Sequence, residues 1–252
     1  MSSYDDCLFG GSGYLGTHLA DALVRQGRRV CIIDTATPAV NVGAAFLSSP
    51  FTLPTVGRLW LLACPRNKPR VWNARNAETA LCQGMSYELM AHDKPIFISS
   101  MSVYDEPDNS YAQFKRMAEM VVAQRKFMVA RLPTLLGAKQ GLVYRADLGL
   151  HQAAMDLADD QIPVLSSTCR YVLPISQVVG SLVAHDFTNP EWIEIEAGVV
   201  QFHDIEPVAD TVEQSGYCAG GGAPMQSEIV ERCRTAWHEL VELIRTKQVT
   251  AI

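Results

Sequence analysis

The chain has 252 residues, of which 48% are hydrophobic and 19% charged, with a formal net charge of −6. At about 150 residues per domain this means one or two domains, with a core large enough to need no disulfides or metals, and the composition excludes a disordered chain. The negative balance offers no footprint for nucleic acid, no apolar run approaches the roughly 20 residues of a membrane span, and the first six residues lack the positive and apolar regions of a secretory leader.

The first half alternates short apolar runs with helical patterns. Cys7-Leu8-Phe9 reads as a strand ending in glycines. A helix over 14–26 follows, with Leu15, Leu19, Ala22 and Leu23 at helical spacing and Gly27 as its stop. Val30–Ile33 is a continuous apolar run ended by Asp34, as a strand buried on both faces would be. Leu59–Cys64 and Pro95–Ser99 are further strands with a helical stretch at 74–91 between them. Tyr111–Arg125 reads as a helix with Phe114, Ala118, Val121 and Val122 as its core stripe, and Phe127–Leu132 as the next strand. This alternation predicts an α/β fold with a doubly wound parallel sheet.

Beyond residue 138 the rhythm changes. Helices are expected at 146–158, 176–185 and 226–246, and strands at 170–175, 191–197 and 199–203, with a glycine run at 220–222. The expected organisation is a dinucleotide-binding domain over 1–137 and a small C-terminal substrate lobe over 138–252, laid over the carboxyl ends of the sheet, with 170–185 returning to the first domain. Trp237, Leu240, Val241 and Ile244 give the last helix an apolar face, for packing on its own lobe or for a dimer contact. Trp60, Trp192 and Trp237 read as packing residues.

The 7 cysteines form no CxxC pair, and the 6 histidines show no metal spacing. The cysteines read as small buried hydrophobes in a reducing compartment, which makes the chain cytoplasmic by expectation, and the histidines as surface or packing residues; no metal site is expected.

Gly10-Gly-Ser-Gly-Tyr-Leu-Gly16 lies directly after the first strand and opens the first helix. Gly10 and Gly13 permit a tight turn and let backbone N–H groups approach a pyrophosphate, while Gly16 lets helix and sheet pack closely. Strand, loop, helix and second strand come in the order dinucleotide binding requires. Asp34, ending the second strand, can accept hydrogen bonds from the adenosine ribose hydroxyls and repel a 2′-phosphate; Thr35-Ala36-Thr37 supplies no arginine for that phosphate, so NAD is favoured over NADP.

A second signal is Ser99-Ser-Met-Ser-Val-Tyr104 followed by Tyr111-Ala-Gln-Phe-Lys115. Tyrosine and lysine at i and i+4 share one helix face. A free tyrosine has a pKa near 10; an ammonium one turn away, with the positive nicotinamide, favours the phenolate, and a shift of about three units takes about 4 kcal/mol. A serine hydroxyl from the strand end can hold the substrate oxygen while tyrosine moves its proton.

In these residues the chain resembles the extended short-chain dehydrogenase/reductases, a family of nucleotide-sugar epimerases, dehydratases and 4-ketoreductases with a Rossmann-type sheet. The resemblance covers about residues 5–185. It makes Gly10, Gly13, Tyr14, Leu15, Gly16, Asp34, Ala63, Tyr111, Lys115 and Pro133 the expected cofactor contacts. Aligning Val103-Tyr104 with the family's Val-Tyr puts the catalytic hydroxyl on Ser100, with Ser102 as the competing choice and as a substrate contact, and puts the catalytic pair on Tyr111 and Lys115. Arg131-Leu-Pro-Thr-Leu-Leu-Gly137 is similar to the segment in which a residue near Pro133 flanks the nicotinamide, Asn76 to an asparagine often found where the helix after the fourth strand opens, and Arg170-Tyr-Val-Leu-Pro-Ile-Ser-Gln177 to the stretch whose arginine, here Arg170, contacts the nucleotide diphosphate.

The chain departs from the family pattern in the short segment 35–58, which predicts that one helix covering the sheet is shortened or missing. Leu61-Leu-Ala-Cys64 replaces the family's His-Leu-Ala-Ala, and Pro174 and Gln177 stand where histidine and aspartate are common. The basic run Arg66-Asn-Lys-Pro-Arg70, beside Arg75, reads as a solvated loop or a phosphate contact. The resemblance implies an NAD-dependent enzyme acting on a nucleotide-linked sugar, an epimerase first and a keto-sugar reductase second, with a homodimer through helices 74–91 and 111–125. A non-catalytic NAD-sensing or scaffold protein is the alternative from another class.

Overall fold

The computed structural model describes residues 4–48, 55–63, 95–105, 109–146, 149–166, 169–187, 192–195, 198–201, 205, 210–212 and 227–252. The helix expected at 74–91, Asn76, the basic run at 66–70 with Arg75, and the glycine run at 220–222 lie outside them. The chain forms two units, one of residues 1–132 and 181–195, the other of 133–180 and 196–252.

The first unit is built on a seven-stranded sheet in the order β11-β6-β5-β4-β1-β2-β3. Its strands are β1 (Tyr4–Phe9), β2 (Val30–Ile33), β3 (Ala45–Leu47), β4 (Val56–Leu61), β5 (Ile96–Ser100), β6 (Met128–Leu132) and β11 (Trp192–Glu194). Every pairing in it is parallel. This is the doubly wound sheet that the strand–helix alternation predicts. The order reverses at β1, which lies between β2 and β4, and open sheets of this kind bind ligands outside the carboxyl ends of the strands at such a reversal.

Helix α1 (Tyr14–Arg25) joins β1 to β2. Its buried face runs through Gly16, Leu19, Ala20 and Leu23, whereas Leu15 and Ala22, expected on the core stripe, are half-buried. Gly27 ends the helix at φ +78°, with its N–H on Val24 O at 2.8 Å and Arg28 N–H on Leu23 O at 3.2 Å. Residues 34–44, between β2 and β3, contain no helix, and none is found among the described residues of the segment 35–58. The short helix α2 (Ser102–Asp105) and helix α3 (Ser110–Gln124) lie between β5 and β6. The expected stripe Phe114, Ala118, Val121 and Val122 is buried in one cluster with Cys7, Cys31, Leu59, Leu61, Phe97 and Val129. At about 1.5–3 kcal/mol for a large buried apolar side chain, that stripe is what holds α3 on the sheet.

Within β1 the Asp6 carboxylate is fully buried. It accepts from Arg58 Nε at 2.8 Å, from Trp60 Nε1 at 2.8 Å and from Arg28 Nε. Trp60 is core, as expected, and packs edge-on against Phe187. Trp192 differs: it is 48% exposed on edge strand β11, its ring 4.4 Å from the Arg131 guanidinium. An edge strand leaves one flank without a neighbour, and the indole covers a charged group instead of entering the core.

The second unit contains β7 (Thr134–Leu136), β8 (Val143–Tyr144), α4 (Gly149–Ala158), β9 (Val164–Ser166), β10 (Cys169–Pro174), β12 (Gly198–Gln201), β13 (Asp210–Val212), α6 (Ser227–Arg245) and β14 (Thr250–Ala251); α5 spans Ile175–Ala184. Its sheets are small: β12-β10-β7, β13-β9 and β14-β8. Thus residues 170–174 pair with β7 and β12, while residues 181–195 belong to the first unit. In α6 the face of Trp237, Leu240 and Val241 is buried within this unit, and Trp237 Nε1 donates to Leu150 O at 3.0 Å. His151 is also buried, its Nε2 accepting from Gly137 N–H at 3.2 Å. Among the described residues no helix is long and apolar enough to cross a membrane, and no cluster of histidine, cysteine and acidic side chains could hold a metal ion.

Candidate active site

The glycine loop begins where β1 ends, at the reversal of strand order. Phe9 O accepts from Leu62 N–H at 2.9 Å and Ala63 N–H at 3.1 Å, drawing the exit of β4 across the loop. Gly10 meets it at φ +79°. Gly16 backs onto Gly11, where an added Cβ would stand 2.4 Å from the Gly11 carbonyl oxygen. Gly13 is the opposite case: exposed, at φ −80°, with no atom within 4 Å of an added Cβ. It is the N-cap of α1, where no side chain caps the turn and no acidic residue stands in it. Thr17 N–H donates to Gly13 O at 2.9 Å, the bond with which a helix capped at Gly13 opens.

Asp34 closes this loop from β2. Its Oδ2 accepts from Ser12 N–H at 3.0 Å, and its Oδ1 from Ala36 N–H at 3.2 Å. Two buried hydroxyls nearby, Ser12 Oγ and Thr17 Oγ1, have no hydrogen-bond partner. Unpartnered buried donors are rare; Ser12 stands on the loop, which is sterically open at Gly13, and Thr17 one turn into the helix that the loop opens. The residues present therefore fit the pyrophosphate of a dinucleotide, and the expected contacts Gly10, Gly13, Tyr14, Leu15, Gly16 and Asp34 all lie on or beside this loop.

The second group stands two strands away. In β5, Ser99 and Ser100 pair with Arg131 and Leu132 of β6. Ser100 Oγ accepts from Ser102 N–H at 3.2 Å and from Ser102 O–H at 3.0 Å. Asn109 caps α3, its Oδ1 accepting from Tyr111 N–H at 2.8 Å and Ala112 N–H at 3.4 Å. Tyr111 thus enters the helix in its first turn, half-buried. Lys115, 3% exposed, donates from Nζ to Ile98 O at 2.7 Å and lies 5.6 Å from the centre of the Tyr111 ring. A hydrogen bond therefore ties the lysine to the strand that ends in Ser100.

Three residues without an expected role fix this arrangement. Arg116 Nε donates to Val103 O at 2.7 Å, joining α3 to α2. Glu119 holds Arg131 through two bonds of 2.9 Å, joining α3 to β6. Arg131 also donates to Tyr104 Oη, and its guanidinium lies 4.8 Å from the centre of the Tyr104 ring and 4.4 Å from that of Trp192. The spacing Tyr111, Lys115, Glu119 is one residue per helical turn on one face, and that signal could have found Glu119. Pro133 and Arg170 lie in the second unit, Pro133 just before β7 and Arg170 half-buried in β10 opposite Val200.

No protein-family model matches the chain, and no curated protein matches it in sequence. Solved structures do match it in fold. TunA, an NAD-dependent NDP-hexosamine 5,6-dehydratase involved in tunicamycin biosynthesis, superposes with a TM-score of 0.70 at 18% identity, covering 96% of this chain and 98% of that one. MoeE5 in complex with UDP-glucose and NAD gives 0.70 at 17% identity, over 96% and 99%. UDP-glucose 4-epimerase from Thermotoga maritima, with UDP-glucose, gives 0.69 at 17% identity, over 98% and 99%. The chain has the fold of the NAD-dependent epimerase and dehydratase type of short-chain dehydrogenase/reductase.

Proposed function

We propose that the chain is an NAD-dependent enzyme that acts on a nucleotide-linked sugar and epimerises it at a carbinol carbon. The observation that carries this reading is the placement of Lys115 Nζ 5.6 Å from the Tyr111 ring while it holds Ile98 O, in the strand that ends in Ser100. Support comes from the glycine loop of the same unit, with its orphaned Ser12 hydroxyl and open Gly13. The fold shared with NAD-dependent sugar-modifying enzymes points the same way.

When bound, NAD supplies a hydride acceptor and, for the return step, a donor. Tyr111 takes the proton of the substrate hydroxyl as its carbon is oxidised and returns it on reduction. Lys115 favours the phenolate, because an ammonium beside a phenol stabilises its charged form. Ser100 donates a hydrogen bond to the substrate oxygen, stabilising the charge it gathers. Asp34 presents a carboxylate to the adenosine ribose and disfavours a 2′-phosphate.

Tyr111→Phe tests the reading directly. It removes one hydroxyl from a half-buried ring and is expected to abolish turnover of UDP-glucose while NAD binding, followed by fluorescence, stays within about twofold of wild type. Full turnover in this variant overturns the assignment. NAD retained through purification is the result expected of a redox-neutral epimerase, and free exchange that of a net reductase.

A further inference from the structure

We propose that Ser102 is a positioning residue: it turns Ser100 into an obligate hydrogen-bond donor toward the substrate oxygen. The inference rests on the catalytic reading given above for Ser100 and Tyr111, and it removes Ser102 from the hydrogen-bond donors to the substrate.

A serine hydroxyl has one proton to donate and two lone pairs to accept with. Ser100 Oγ receives the backbone N–H of Ser102 at 3.2 Å and its side-chain O–H at 3.0 Å, so one residue fills both lone pairs. The Ser100 proton is then the only bond that hydroxyl has left to make. Ser102 in turn has spent its hydroxyl proton on Ser100, which leaves it nothing to donate to a substrate. Its own position is fixed, because it opens α2 and the next residue's carbonyl, Val103 O, is held by Arg116 Nε at 2.7 Å. Arg116 follows Lys115 in α3, so the serine pair is tied to the helix that carries Tyr111 and Lys115.

The chemical consequence is a division of labour. A Ser100 that can only donate favours a substrate oxygen that has lost its proton, as alkoxide or carbonyl, over the starting alcohol. It cannot take the proton itself, so that task falls to Tyr111. Loss of the Ser102 hydroxyl frees a lone pair on Ser100, which can then accept from the substrate alcohol and stabilise the ground state instead.

The test uses the whole chain with NAD and UDP-glucose as probe. Ser102→Ala is expected to lower kcat about tenfold with KM unchanged or lower, a split that loosened packing would not produce. Ser102→Thr, which keeps the hydroxyl, is expected to restore kcat to within about twofold, and Ser102→Ala is expected to add nothing in a Ser100→Ala background. If Ser100→Ala loses turnover and Ser102→Ala keeps it, the proposal fails and the catalytic reading stands. If Ser100→Ala keeps full turnover, the catalytic reading fails and takes the proposal with it. Independently of any substrate, crystal structures are expected to show Ser100 Oγ in one rotamer in the wild type and in more than one in Ser102→Ala; an unchanged single rotamer overturns the proposal.

Discussion

Gly10 and Ala63 approach so closely that a Cβ on Gly10 would lie 2.5 Å from both the Cα and the backbone nitrogen of Ala63. The neighbour is backbone, held by Phe9 O, and cannot swing aside. Gly10 also has φ +79°, a region that alanine enters only with strain of about 1–3 kcal/mol. Gly10→Ala is therefore expected to lower Tm by several degrees and to displace the loop proposed to carry the cofactor, weakening NAD at least tenfold. Thermal unfolding and a fluorescence titration check both, and a variant that matches wild type in the two measurements rules out this packing.

Gly13 separates cofactor binding from folding. Its φ of −80° suits any residue, and a methyl group there would meet nothing within 4 Å. Gly13→Ala is expected to unfold within about 0.5 kcal/mol of wild type, as surface substitutions do. The same methyl would stand where a pyrophosphate must approach the N–H groups of α1, so NAD affinity is expected to fall at least tenfold. Undiminished NAD binding by this variant places the phosphates elsewhere.

What could be read in the sequence was what neighbouring residues decide among themselves. The run Val30–Ile33, the α3 stripe and the glycine loop each carry their signal within a few positions, and each lies where it was expected. The short β3 does not: Ala45–Leu47 is half-buried and becomes a strand only through its pairing with Cys31–Ile33. Trp192 misled because burial of a tryptophan is a matter of which strand lies at the edge. The serines at the end of β5 stood out in the sequence as a candidate group, but the bond between Ser102 and Ser100 depends on how α2 turns back. Asp6 passed without notice beside Asp5, since the two arginines that give it a role come from β4 and from the turn before β2.

Asp6 is a structural carboxylate remote from the cofactor loop. It lies about 13 Å from Gly10 along β1, four residues before it. Replacement by alanine leaves Arg28 and Arg58 facing each other without their shared partner, and breaking a buried pair in this way costs about 3–5 kcal/mol. Asp6→Ala is expected to unfold at much lower urea concentration, while its NAD affinity, measured where it remains folded, stays at the wild-type value. Weakened NAD binding in folded protein contradicts this separation.

Asp34 joins cofactor choice to loop geometry, because the carboxylate that would face the ribose also accepts Ser12 N–H at 3.0 Å. Asp34→Asn keeps an acceptor for that N–H and removes the charge. It is expected to leave Tm nearly unchanged, to weaken NAD several-fold and to improve NADP binding, narrowing the preference between the two. Competitive titration with both dinucleotides checks it, and an unchanged ratio shows that the charge plays no part in the choice.

Cys233 gives the second unit a dependence on alkaline pH. It is fully buried in α6, and burial pushes its thiol up to about 12. The unfolded thiol titrates near 8.5, so the folded state holds its proton longer. The stabilisation is complete below that value and is lost as pH rises through the interval toward 12, at about 1.4 kcal/mol per pH unit while only the unfolded state is ionised. The Cys7 thiol, pushed up by its hydrogen bond to Cys31 and by burial, acts in the same direction, so the slope of the whole chain contains both. Cys233→Val, which fills nearly the same volume without a titrating group, is expected to remove about one proton from the slope of urea stability between pH 9 and 11. An identical slope in wild type and variant means that the thiol is already ionised in the folded chain.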